Sequence, residues 1–300
     1  MPADNELKKL NSIILNTLTD YKSNISDEIK DYLSSKSKKL RPLLIFLLAK
    51  SLNIDITDEI YNLACSVELI HNSALIHDDI IDNAQTRRGK ISLNIKLGNK
   101  MSVLAGDFLL ACAFKQLVKC ENINVINTFS DCLYRMCTGE INQNSSLFKV
   151  PSFDDYIKKS KDKTAELFKA GLVSLCYLSN IKEKEKISEF AINFGIAFQI
   201  KDDLVNILNT DKTKPALSDI YNGVYTAPLI YLNKEEKIGN LSEEKISKLV
   251  QNKKYIFTTK KLIEEYVLKA VKSIDFIEEN QYKKEIIKIT ENLYEEIINE

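Results

Sequence analysis

Glycine and proline together supply only 13 of the 300 residues, 8 and 5 respectively, where average usage of about 7% and about 5% would give roughly 36. Parallel sheets and closed barrels need these residues at turn after turn, so their scarcity argues against such folds and for long helices. Hydrophobic spacing agrees. Leu7, Leu10, Ile14 and Leu18 recur at three- and four-residue steps, the stripe of an amphipathic helix. Residues 40–52, 58–82, 102–119, 123–145, 163–179 and 186–208 carry similar or more uniformly apolar patterns, and 243–300 returns to charged amphipathic helices. Breaks fall at 83–95, 149–152 and 209–228, none of them a flexible linker, and no repeat is visible. The expectation is an all-α bundle of long helices forming a single domain over 1–300.

Lys+Arg and Asp+Glu both total 42, and a balanced chain without a basic stripe offers no footprint for nucleic acid. Uninterrupted apolar runs such as Leu43 to Ala49 fall short of the ~20 residues that span a bilayer, so no transmembrane segment is expected. The opening Met-Pro-Ala-Asp-Asn-Glu lacks the basic-then-apolar pattern of a signal peptide. Six cysteines without a C-x-x-C are expected to be buried reduced thiols of a cytoplasmic protein.

The chemistry-bearing residues are few and clustered. Asp78-Asp79-Ile80-Ile81-Asp82 puts Asp78 and Asp82 one turn apart on a helix face, with Asp79 about 100° away. Hard oxygen ligands so spaced suit Mg²⁺ and, through it, a polyphosphate. An isolated D-D-x-x-D is most often a solvated acidic turn. This one follows the apolar Ser73-Ala74-Leu75-Ile76, and three acids ending a buried helix need cations to offset them. Asp202-Asp203-Leu204-Val205-Asn206 repeats the arrangement behind the apolar Phe194 to Ile200, and two such helix ends could face each other across one cavity. Lysine is this chain's default cation, yet three of its four arginines stand at Arg41, Arg87 and Arg88. Arginine binds diphosphate oxygens with a planar fork that lysine lacks. Both histidines, His71 and His77, lie within seven residues upstream of Asp78. His71 shares a face with Asp78 and Asp82 and is read as a ligand contact, whereas His77 is equally well read as a core packing group.

From residue 36 to about 230 the chain resembles the trans-isoprenyl diphosphate synthases, or polyprenyl synthetases. The resemblance rests on Lys38-Lys39-Leu40-Arg41-Pro42, on Glu68-Leu69-Ile70-His71 leading into Asp78–Asp82, and on Arg87-Arg88-Gly89. Further matches are Gly106-Asp107, Gly139-Glu140, Lys163-Thr164, Phe198-Gln199 with Asp202-Asp203, and Lys214-Pro215 with Asp219-Ile220. It implies the isoprenoid synthase fold, helices around a central cavity, and a homodimer. It also implies head-to-tail condensation of isopentenyl diphosphate with an allylic diphosphate, farnesyl or geranylgeranyl diphosphate. Asp78, Asp82 and Asp202 would be the Mg²⁺ ligands that clamp the allylic diphosphate, with Asp79 and Asp203 in the same metal set. Arg87, Lys163 and Lys214 would hold that diphosphate. Lys38, Arg41, His71 and Arg88 would form the metal-free isopentenyl diphosphate pocket, and Thr164 and Gln199 would lie beside the developing cation. Such chemistry needs a stabilised leaving group and a dry cavity but no protein nucleophile; in this family the released diphosphate takes the final proton.

Four departures stand out. Lys36-Ser37 replaces the family's Gly-Gly, Asn206 its third acid, and Val224 a frequent lysine, while 207–213 is short and lacks the usual glycines. A non-catalytic subunit of a heteromeric synthase is the alternative these motivate. Product length is expected from Ser73 and Ala74, five and four residues before Asp78. They lie about 6–7.5 Å below the metal site at ~1.5 Å per residue, and their small side chains leave a tunnel open. A long all-trans product beyond twenty carbons is the expectation, against a farnesyl or geranylgeranyl synthase; the competing reading is that the pair only permits close helix packing. Phe129 and Met136 are candidates for a deeper floor.

Overall fold

The computed structural model describes residues 2–18, 24–35, 37–208, 220 and 222–298. Apart from one two-stranded hairpin, its regular elements are helices. Packing groups them into two compact units. The first comprises Met1–Thr128, Ala170–Lys182 and Ile277–Ile286; the second comprises Phe129–Lys169, Glu183–Phe276 and Ile287–Glu300.

The first unit opens with α1 (Asp4–Asn16), α2 (Asn24–Leu33) and α3 (Leu40–Ser51). All of Pro42 to Ala49 in α3 is buried. α4 (Asp58–Ile81) is apolar nearly all round and packs along α6 (Asn99–Val118). Two small side chains join the pair: Ser66 Oγ donates to the Ala113 carbonyl at 3.0 Å and Ser73 Oγ to the Gly106 carbonyl at 2.8 Å. His77 packs against the glycine itself: a Cβ at position 106 would lie 2.2 Å from Nε2 of His77, and the ring would have to move. By length and composition α6 could cross a membrane. Asp107 and Lys115 divide the helix into shorter apolar runs, although its average stays apolar.

The expected break at 83–95 holds ordered structure. α4 ends in a Schellman motif: Asn83 is left-handed at φ 51°, its N–H reaches the Ile80 carbonyl, and the Ala84 N–H reaches that of Asp79 at 2.9 Å. The chain then forms the hairpin β1 (Thr86–Arg87) and β2 (Lys90–Ile91), with Arg87 opposite Lys90. Its two-residue loop, Arg88-Gly89, has φ 51° and 76°, the double positive φ of a type I′ turn. A short α5 (Leu93–Leu97) follows.

In the second unit α7 (Ile123–Ser145) contributes its residues from Phe129 onward. α8 (Phe153–Ser160), a π-helical turn (Lys161–Ala165) and the start of α9 (Glu166–Ser179) run on without a break. α10 (Lys184–Leu208) packs against the π turn, close enough that a Cβ on Gly195 would lie 2.4 Å from Ala165 Cα. α11 (Ala227–Glu235), α12 (Glu243–Val250) and α13 (Lys253–Ser273) complete the core, and α14 (Gln281–Ile298) contributes its residues from Ile287 onward. Phe168, Phe190, Phe194 and Phe198 form an aromatic cluster, with Phe168 and Phe194 edge to face at 5.0 Å.

All six cysteines are free, and Cys137 is exposed rather than buried as expected, because it lies on the outer face of α7.

Candidate active site

The Asp78–Asp82 motif lies on the last turn of α4, and the helix splits its three acids. Asp78 is half-buried and Asp82, the C-cap, is exposed. Asp79 is buried at 1% exposure, and its Oδ1 accepts from Arg87 Nε at 2.8 Å and from Arg87 Nη2. The Schellman turn and the hairpin make this pairing possible, since together they bring β1 back onto the helix end. Burial works against the Arg87 charge, but the Asp79 hydrogen bond and its negative charge hold the guanidinium pKa above its ordinary value. Asp79, expected among metal ligands, is therefore turned into the protein and fixes Arg87.

Beside it runs a second polar chain. Arg88 Nη1 donates to Asn72 Oδ1 at 3.3 Å, Asn72 Nδ2 donates to Glu68 Oε1 at 3.2 Å, and Lys39 Nζ lies 3.5 Å from the same oxygen. Glu68 and Asn72 are buried. Lys39 caps α3 in the left-handed conformation, φ 41°, next to exposed Lys38 and half-buried Arg41. His71 keeps some accessible surface, yet desolvation first, and then Arg41, Arg88, Arg87 and Lys39, push its pKa well below the usual value. The ring is neutral at physiological pH. Tyr32 of α2 also belongs to this neighbourhood: burial raises its phenol pKa, and Asp79 adds to the effect. His77 is a packing group against Gly106, with Nε2 3.3 Å from the Val103 carbonyl and 3.5 Å from Asp107.

The second unit repeats the split. On α10, Asp202 is exposed and Asp203 is buried. Asp203 Oδ2 accepts from the Tyr156 hydroxyl at 2.7 Å and Oδ1 from Gln199 Nε2 at 2.7 Å. Gln199 Oε1 in turn accepts from the Thr164 hydroxyl. Burial raises the pKa of Asp203 and raises that of the Tyr156 phenol well above its ordinary value. Asp203, also expected as a metal ligand, thus has both oxygens engaged by side-chain donors. Lys163 and Thr164 sit in the π turn, a device that re-aims side chains within a helix and is frequent at functional sites. Lys163 Nζ is 2.7 Å from Glu140 of α7. Asn206 is half-buried one turn beyond Asp202, and Val224 is half-buried ahead of α11. Lys36, Lys214, Pro215 and Asp219, with 209–213 of the short segment, lie outside the described residues.

Among the described residues no three acidic, histidine or cysteine side chains converge on one point. Mg²⁺ does not need such a cage: it is commonly held by one or two carboxylates with substrate phosphates and water. Asp78 and Asp82, both accessible and one turn apart, are a donor set of that kind.

Sequence reasoning did not assign roles to Tyr32, Asn72 and Tyr156. Glu68 and Lys39 were read only as parts of motifs. For Asn72 a signal existed: a polar group inside an apolar helix needs a partner.

Ser73 is buried with its hydroxyl on Gly106, so close packing accounts for its size. Ala74 is half-buried, as is Met136, and Phe129 is fully buried.

The described residues are helical apart from one hairpin, and two helices carry an aspartate pair near their C-terminal ends, the first beside a basic cluster anchored by buried acids. The polyprenyl synthetase family model matches residues 22–265, a stretch that runs through both units, and the chain belongs to that family. It is 36% identical over 221 residues to solanesyl-diphosphate synthase 2 of Oryza sativa subsp. japonica, covering 70% of this chain and 55% of that protein. It is 33% identical over 302 residues to a decaprenyl-diphosphate synthase of Dictyostelium discoideum, covering 90% of this chain and 66% of that one. The chain thus spans a little over half to two thirds of these relatives. Among solved structures, heptaprenyl diphosphate synthase of Staphylococcus aureus superposes with a TM-score of 0.93 at 25% identity, over 98% of both chains.

Proposed function

We propose that the protein is a Mg²⁺-dependent trans-prenyltransferase that condenses isopentenyl diphosphate with farnesyl or geranylgeranyl diphosphate into a long all-trans polyprenyl diphosphate. The observation that carries this reading is the pairing, at the end of α4, of presented acids (Asp78 and Asp82) with a basic cluster anchored from behind by Asp79, Asn72 and Glu68. A terpene cyclase requires the acids but no metal-free diphosphate pocket. Mg²⁺ held by Asp78 and Asp82, with Asp202 as a further ligand, would neutralise the allylic diphosphate as it leaves. By the family resemblance, Arg87, Lys163 and Lys214 would hold that diphosphate. Lys38, Arg41, His71 and Arg88 bind isopentenyl diphosphate, with His71 as a neutral hydrogen-bonding group. Thr164 and Gln199 line the position of the allylic cation.

The relatives' names, solanesyl, decaprenyl and heptaprenyl diphosphate synthases, support a product beyond twenty carbons. Ala74 is the small residue we assign to the tunnel. The exposed apolar residues Val103, Leu104 and Val118 of α6 support a homodimer, and six free cysteines suit a reducing compartment, for which we propose the cytoplasm.

The test is incubation of the purified chain with farnesyl diphosphate, labelled isopentenyl diphosphate and Mg²⁺, followed by separation of products by length. Products stopping at fifteen or twenty carbons would replace the long-chain reading with a short-chain synthase. Inactivity of the chain alone, restored by a partner subunit, would favour the heteromeric alternative that Asn206 and Val224 motivate. Ala74→Phe should shorten the product by several isoprene units, and an unchanged distribution would remove Ala74 from the tunnel. Ser73→Phe is a poorer probe because it also breaks the contact with Gly106.

A further inference from the structure

The polar chain Tyr156–Asp203–Gln199–Thr164 runs through one unit from a fully buried phenol on α8 to a threonine in the π turn. Its direction is fixed by chemistry. A carboxylate only accepts, so an Asp203 that takes a hydrogen bond on each oxygen forces Gln199 to turn its NH₂ toward α10's own Asp203, one helical turn away. The amide oxygen must then face the other way, toward Thr164. The threonine hydroxyl gives its one hydrogen to that oxygen, which leaves lone pairs on both atoms and no hydroxyl hydrogen pointing outward. Rotated by 180°, the same glutamine would set its oxygen against the carboxylate and its NH₂ against Thr164.

We propose that Asp203, held by Tyr156, is a positioning residue that locks the Gln199 amide with its oxygen toward Thr164, so that the pair offers electron-rich oxygens to developing positive charge on the allylic substrate. The proposal rests on the prenyltransferase reading, and it gives Asp203 a role different from that of Asp202, its exposed neighbour. Electrostatic groups that must be aligned before the reaction lose their value when they can rotate. The aspartate therefore acts on the rate of ionisation and not on the affinity for diphosphate or metal.

The test compares the wild type with Asp203→Asn, Tyr156→Phe and the double variant Asp203→Asn with Gln199→Glu, in steady-state assays with farnesyl diphosphate, isopentenyl diphosphate and titrated Mg²⁺. In Asp203→Asn the side chain at position 203 both donates and accepts, and no longer dictates the orientation of the Gln199 amide. There kcat should fall about tenfold or more, while both KM values and the Mg²⁺ half-saturation stay near those of the wild type. Tyr156→Phe, which deletes only a hydroxyl, should move kcat in the same direction by a smaller factor. In the double variant the amide introduced at position 203 can donate to the carboxylate introduced at position 199 and still accept from Tyr156. That carboxylate also accepts from Thr164, and as an acceptor on both oxygens it has no wrong orientation to adopt. The double variant's kcat should therefore recover above that of Asp203→Asn. A raised Mg²⁺ requirement at unchanged kcat in Asp203→Asn would make Asp203 a metal ligand and overturn the proposal, as would a double variant no faster than the single one. Wild-type protein that shows no isopentenyl-dependent elongation at all would overturn the underlying reading, a result distinct from either of these.

Discussion

The two aspartate motifs present their outer acids alike and stabilise their second acids differently. On α4 the buried Asp79 is met by a guanidinium; on α10 the buried Asp203 is met by a phenol and an amide. A buried carboxylate opposite a cation forms a neutral pair and fixes the cation, here Arg87, in one orientation. A buried carboxylate opposite a phenol and an amide has no cation in hydrogen-bond contact and fixes the donors instead. The same sequence pattern therefore sets the direction of a positive group in one unit and of a neutral amide in the other. The partner decides which, and the partner comes from elsewhere in the chain.

The largest effect is expected from breaking the first pair. Arg87→Ala leaves a carboxylate buried without its cation, which typically destabilises by about 3–5 kcal/mol. Tyr156→Phe leaves Asp203 with its Gln199 bond and should lose only about 1–3 kcal/mol. Urea unfolding of the two variants measures the contrast, and equal losses would mean that the two buried acids are stabilised in the same way.

Next comes the division between outer and inner acids. Asp78→Asn should lower kcat by roughly 10²–10³-fold and raise the Mg²⁺ requirement with little change in unfolding midpoint. Asp79→Asn should instead move the midpoint and leave the Mg²⁺ requirement alone. A metal titration that shifts equally for both would erase the inner–outer distinction.

The smallest effect concerns pH. Both histidines lie in the first unit, and His71 resists protonation when folded because burial and the surrounding cations lower its pKa. The unfolded chain takes up that proton near the ordinary value of 6.5, so stability should decline as pH falls below it and hold steady above it. His71→Gln should flatten this decline. Melting temperatures between pH 7.5 and 5.5 would show it, and an unaltered slope would remove His71 as the source.

The helices were legible because their signals are local. α3, α4, α7 and α10 begin and end within a few residues of the apolar runs that foretold them. The motifs were legible for the opposite reason: arginine and histidine are so scarce in this chain that their clustering stands out. What escaped notice depends on pairings across the sequence. Nothing near Asp203 marks Tyr156 as its partner 47 residues away, and nothing near Asp79 says that this acid points inward while its neighbours point out. The hairpin was hidden because Arg88, not a glycine or asparagine, occupies the first left-handed position of the turn. A bulky residue there is held at some expense in backbone energy, which its bond to Asn72 helps offset.

The π turn at Lys161–Ala165 carries a consequence for how this region tolerates change in length. A helix surface usually accepts substitution readily, and a single-residue deletion that removes an irregularity would seem harmless or even stabilising. Here it would join α8 to α9 as regular α-helix and remove the wide turn that aims Lys163 and Thr164. Lys163 and Thr164 could then no longer keep their contacts with Glu140 and Gln199 together. This stretch should therefore admit changes of residue far more easily than changes of residue number, although it reads as plain helix.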